Sequence, residues 1–127
     1  MQLVAIVIGI ALIEYLVFSA LVGKARATYE IHAPATTGNE MFERYFRVHM
    51  NTLEALILFI PSILLFANYV NAVIGAGIGV VFVIGRIVFF KSYIKDPKSR
   101  QLGAMLSGIP SVALLLGGII GAAIDYF

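Results

Sequence analysis

The chain contains no cysteine. Disulfides, a cysteine nucleophile and thiolate ligation of a metal are all excluded, and any thiol chemistry must use a thiol that a ligand brings. Histidine is nearly as scarce. His32 and His49 stand far apart, with neither an HxxxH nor an HExxH pattern, so no protein-built metal site is expected. Charge is sparse too: of 127 residues, 13% are charged and 61% are apolar, a balance outside the range of soluble domains and expected of a chain that resides in a bilayer. Membrane lipids, and not nucleic acid, are the expected surroundings. The opening run MQLVAIVIGIALIEYLVFSALVG lacks the basic n-region of a secretory signal and is longer than such a signal's apolar core. It is expected to be a retained membrane helix.

Four apolar runs stand out: Leu3 to Gly23, Leu53 to Val70, Ala72 to Phe90 and Leu102 to Ala123. At about 1.5 Å per residue, each can cross a hydrocarbon core roughly 30 Å thick. The expected fold is all-α, an integral membrane four-helix bundle of up-down topology. It forms one domain over residues 1–127, with helices at about 2–28, 41–69, 72–95 and 99–125. The second and third helices are separated only by Asn68 to Asn71, the length of an antiparallel helix hairpin. The first connection carries HAPATTGNE, broken by Pro34 and Gly38, and the third, IKDPKS, turns at Pro97. All nine Lys and Arg residues fall within 24–47 and 86–100. By the positive-inside rule the first and third loops are cytoplasmic and both termini lie on the opposite side. Topology and snorkelling account for Lys24, Lys91, Lys95 and Lys98.

The second span opens on FERYFRVHMNTLE, residues 42–54, a string too polar for lipid unless its groups pair or face water. At about 100° per residue, Glu40, Glu43, Arg44, Arg47, Asn51 and Glu54 share an arc of roughly 100°, while His49 points to the opposite side. One reading is a self-satisfying network, with i,i+4 pairs Glu43–Arg47 and Arg47–Asn51 and with Glu54 neutralising an arginine of another helix. The other is a site for a ligand carrying charges of both signs. Helix 3 adds GRIVFFKSY, with Arg86 inside the apolar segment and Tyr93 one heptad later on the same face. Arg100 opens the last helix, where the helix dipole disfavours a cation. Together with the nearby amides it favours an anion, a thiolate included. Glu14, in the middle of helix 1, is either a buried carboxyl with Arg86 or Glu54 as its intramembrane partner or the carboxylate of a proton-coupled carrier. Gly75, Gly77 and Gly79, with Gly117, Gly118 and Gly121, mark surfaces where helices approach closely.

The string KARATYEIHAPATTGNEMFERYFRVHMNTLE, followed by GRIVFFKSY and Arg100, resembles the MAPEG superfamily, the membrane-associated proteins in eicosanoid and glutathione metabolism. The FERxxRxHxNxxE core, the TTG before it and the Arg-x6-Tyr-x6-Arg spacing occur together and in order. Within the superfamily the chain is most similar to the branch of leukotriene C synthase and the microsomal glutathione transferases. That resemblance implies a homotrimer that conjugates glutathione, its co-substrate, to lipophilic electrophiles, with a glutathione peroxidase side activity and no metal. It implies that Arg47, Asn51, Glu54 and Tyr93 hold glutathione and that Arg26 and His49 reach the glutathione of a neighbouring subunit. Arg100 corresponds to the arginine that holds the sulfur as thiolate. Arg44, Arg86 and Glu14 take structural or secondary roles. Three departures stand in the same stretch: Ala55 replaces a tyrosine, Phe89 replaces an aromatic hydroxyl, and the helix 2 proline falls one turn later, as Pro61. The superfamily also contains a non-catalytic lipid-binding scaffold, which is the alternative reading. A small multidrug antiporter is a more distant one, similar only in length, helix count and the helix 1 carboxylate.

Overall fold

A computed structural model describes residues 1–127 as four long helices and no strand. They are α1 (Gln2–Tyr29), α2 (Glu40–Tyr69), α3 (Ala72–Lys95) and α4 (Gln101–Tyr126), with one 3-10 turn, Pro97–Ser99, before α4. All four are long and apolar enough to cross a membrane. Local chemistry sets their starts. The Asn39 side-chain oxygen accepts from the Phe42 amide at 3.0 Å and that of Asn71 from the Ile74 amide at 2.9 Å, each satisfying an N-terminal donor of the helix it opens. Asp96 caps the turn before α4 in the same way, accepting from the Lys98 amide at 3.1 Å.

Helix α2 runs unbroken through Pro61 and packs against all three other helices. The main core joins Val4 and Val7 of α1, Phe59 and Ile63 of α2, Phe82 of α3 and Leu114 of α4, with the Phe59 and Phe82 rings stacked 3.9 Å apart. Toward the first and third loops the packing continues through smaller groups, Phe18 with Val48 and Phe89, and Val22 with Ala25 and Phe42. The outside is apolar as well. Leu16, Ile57, Val73 and Ile124 are each at least 65% exposed, a pattern that a water-facing surface penalises and a lipid-facing one favours.

The salt bridge at the start of α2 is Glu40–Arg44, at 2.7 Å, and not the expected Glu43–Arg47. Arg44 also donates to the carbonyl oxygens of Ile94, at 2.8 Å, and Lys95, at 3.3 Å, which end α3. Those carbonyls lack helical partners and carry the negative end of the α3 dipole, so they draw the guanidinium to them. Glu43 instead accepts from the Gly38 amide at 3.4 Å.

Five of the six glycines that mark close approaches, Gly75, Gly79, Gly117, Gly118 and Gly121, are used inside the chain, and only Gly77 faces open space. The tightest crossing lies elsewhere, between α3 and α4. A Cβ on Gly85 would lie 2.6 Å from the Leu106 carbonyl carbon and 2.7 Å from the Ser107 nitrogen, and one on Gly103 would collide with the backbone of Phe89. Backbone cannot move aside as a side-chain end can. Gly103→Ala is therefore expected to lower stability by about 1–3 kcal/mol, the range for overpacking, whereas Gly77→Ala should be neutral. Thermal unfolding in one detergent, with both variants side by side, checks the contrast.

Candidate functional site

The crossing of α3 on α4 delivers Arg86 to the interior. It is 2% exposed, far from the water that an arginine ordinarily reaches. Three neutral oxygens receive its guanidinium: Nη2 donates to Asn51 Oδ1 and Thr52 Oγ1, both at 2.9 Å, and Nη1 to Ser107 Oγ at 3.1 Å. The charge also lies over the Phe89 ring, 4.5 Å from its centroid. So Phe89, which brings no hydroxyl, supplies a π face instead. Thr52 Oγ1 in turn donates to the Val48 carbonyl at 2.8 Å, and Ser107 Oγ to that of Gly103 at 2.9 Å. One side chain thus ties α2, α3 and α4 together.

Arg86 makes no hydrogen bond to Glu54 or Glu14, the carboxylates expected as its partners. Glu14 of α1 lies within Coulombic reach of it, and both Glu14 oxygens are buried without a hydrogen-bond partner. Neutral oxygens on α2 and α4 occupy the positions that a carboxylate would have taken. Thr52 and Ser107 were not foreseen as site residues. The signals in the sequence are a hydroxyl next to Asn51 in the polar string and another inside the last apolar run.

Asn51, Glu54, Ala55, Arg86, Ser107 and Ser111 line a cleft of about 310 Å³ between α2, α3 and α4. Glu54 is exposed and Asn51 half-buried. The small Ala55 side chain leaves room where a tyrosine would project. Leu58, Ala104 and Gly108 also border this cleft, and the same three residues line an apolar groove of about 580 Å³ that continues along α4 past Met105, Ile109 and Val112. A polar pocket and an apolar track therefore share a wall.

The remaining candidates lie around this centre. Arg47 is exposed one helical turn before Asn51, which bonds Arg86 and not Arg47. Tyr93 is half-buried, its ring stacked on Phe89 at 5.5 Å. Arg100 is exposed at the N-cap of α4, four residues before Ala104 in the shared wall. Neither His49 nor Arg26 lines the cleft. His49 stacks on Tyr15 of α1 at 4.6 Å, with both ring nitrogens buried and unpartnered. Arg26 lies over the Phe42 ring at 4.9 Å and donates to the Ala35 carbonyl at 2.8 Å, holding the first loop. The two polar faces expected of α2 are present, Asn51 turned to α3 and His49 to α1.

Four membrane-length helices define a multi-pass membrane protein, with a polar cleft that adjoins an apolar groove. The chain belongs to the MAPEG family, whose model matches residues 4–120. It is 41% identical over 116 residues to an uncharacterized protein of Synechocystis sp., covering 91% of this chain and 85% of that one. It is 37% identical over 113 residues to human microsomal glutathione S-transferase 2, covering 87% of this chain and 77% of that one. With leukotriene C4 synthase of Cavia porcellus it shares 29% identity over 109 residues, 86% of this chain and 71% of the other.

If Ser107 is an acceptor for a buried guanidinium, removing its oxygen strands a donor. Ser107→Ala is expected to cost about 1–3 kcal/mol of stability, the penalty for a buried unsatisfied polar group. Serine to alanine at exposed Ser19 serves as the control, and chemical unfolding in detergent measures both.

Proposed function

We propose that the protein is a membrane-bound glutathione transferase that conjugates glutathione to lipophilic electrophiles. The observation that carries this reading is the shared wall between the polar cleft and the apolar groove, in a chain whose relatives include microsomal glutathione S-transferase 2. Glutathione is a tripeptide with two carboxylates, an amine and a thiol. Arg47 and the Asn51 amide suit its oxygens, Glu54 suits its amine, and Tyr93 offers a hydroxyl at the rim. Arg100, at the start of α4, joins its charge to the amides of that helix end to hold the sulfur as a thiolate.

In this reading the thiol proton leaves to water as the thiolate forms beside Arg100. The sulfur then attacks an electrophilic carbon presented from the groove. A carbon–sulfur bond forms, and the bond from that carbon to its leaving group breaks with the electron pair going to the leaving group. The electrophile arrives from lipid along the exposed side of α4. Glutathione-dependent reduction of lipid hydroperoxides is a side activity of the same thiolate.

The functional unit in this reading is a homotrimer with the first and third loops cytoplasmic, the side on which the Lys and Arg residues gather. In this reading His49, which turns to α1 and away from the cleft, and Arg26 reach the glutathione of a neighbouring subunit.

Arg100→Ala is expected to lower conjugation turnover at least about a hundredfold, the scale for loss of one transition-state charge contact, with glutathione affinity changed less than about threefold. The thiolate absorbance that appears when glutathione is added to the wild-type protein should vanish in the variant. Full turnover by the variant contradicts the role of Arg100. A wild-type protein that binds glutathione and forms no thiolate points to the lipid-binding scaffold.

A further inference from the structure

Asn51 belongs to both the Arg86 network and the lining of the cleft. Its amide ends in an oxygen that only accepts and a nitrogen that only donates. Guanidinium has no acceptor, so the end of Asn51 that meets Arg86 Nη2 at 2.9 Å must be the oxygen. This assignment follows from the chemistry of arginine and does not depend on telling amide oxygen from nitrogen. Arg86 itself cannot swing away. Its other hydrogen bonds go to Thr52 and Ser107, and each of those hydroxyls spends its own proton on a carbonyl of its own helix. The oxygens of both therefore stay turned to Arg86 as acceptors.

We propose that Arg86 is a positioning residue for ligand specificity: it locks the Asn51 amide so that only N–H donors face the cleft. The ligand group that docks on Asn51 is an oxygen acceptor, a carbonyl or a carboxylate, and not an amine. With glutathione as the ligand, which rests on the function proposed above, Asn51 holds a peptide carbonyl or a carboxylate, and the α-amine is directed to Glu54. The lock accounts for a buried cation whose hydrogen bonds all go to neutral oxygens, although the Glu14 carboxyl lies within Coulombic reach. A carboxylate partner would satisfy the charge and leave nothing to set the polarity of the cleft.

The test is Asn51→Asp in the full-length protein in detergent, with glutathione affinity read by calorimetry and thermal stability alongside. Aspartate is nearly isosteric and keeps an oxygen toward Arg86, so the variant should melt at or above the wild-type temperature. It turns an acceptor toward the cleft, so glutathione affinity should fall at least about tenfold, the scale of one lost charge-assisted hydrogen bond plus repulsion. Equal or tighter binding overturns the proposal, because Asn51 would then present its oxygen to a donor of the ligand. A lower melting temperature also overturns it, since a carboxylate facing a buried guanidinium gains a counter-charge. As a second variant, Arg86→Met removes the lock and leaves the Asn51 side chain in place. KM for glutathione should rise about tenfold with kcat held within about threefold, a split that a general loosening of the fold does not produce. An unchanged KM contradicts the lock. If the wild-type protein binds no glutathione, the transferase reading fails, and the lock is decided by the melting temperature of Asn51→Asp alone.

Discussion

A guanidinium buried in the middle of a membrane bundle has to be satisfied there, because neither water nor lipid can do it. Arg86 meets most of that demand with one acceptor from an asparagine, two from hydroxyls, and an aromatic face, while its buried Nε has no hydrogen-bond partner. Two acceptors come from one turn of α2 and the third from α4, so satisfying one charge on α3 fixes the relative placement of the three helices. The close α3–α4 crossing is the geometric condition for it. The absence of side chains at Gly85 and Gly103 lets α4 come close enough for Ser107 to reach Arg86.

The same constraint shapes the cleft. Asn51 cannot turn freely, Ala55 leaves space beside it, and Glu54 stands exposed on the next turn. The α4 side chains that border this polar space also begin an apolar groove, so a water-soluble ligand and a lipophilic one can meet along one helix. One helical turn from the site the core becomes apolar and stacked, as the Phe59–Phe82 pair shows.

Much of this was legible in the residues. Uninterrupted apolar runs reveal the four helices, because each run is long enough to span a bilayer, and asparagine or aspartate caps mark where α2, α3 and the turn before α4 begin. Helical periodicity separated Asn51 from His49. It could not choose between Glu40–Arg44 and Glu43–Arg47, since both have i,i+4 spacing. The choice was made by the carbonyls of Ile94 and Lys95, which belong to another helix. The partners of Arg86 were hidden for a related reason: Thr52 and Ser107 look like ordinary helix hydroxyls bonded to their own backbone, which they also are. Only the packing of three helices reveals that their lone pairs are claimed by a residue 34 or 21 positions away.

The most direct measurement is an experimental structure of the protein in lipid with glutathione bound. The account predicts a peptide carbonyl or carboxylate oxygen of the tripeptide within hydrogen-bond distance of Asn51 Nδ2, with Asn51 Oδ1 still on Arg86. The sulfur lies beside Arg100, at the mouth of the groove along α4. Glutathione bound with its amine on Asn51, or bound outside the cleft between α2, α3 and α4, contradicts it.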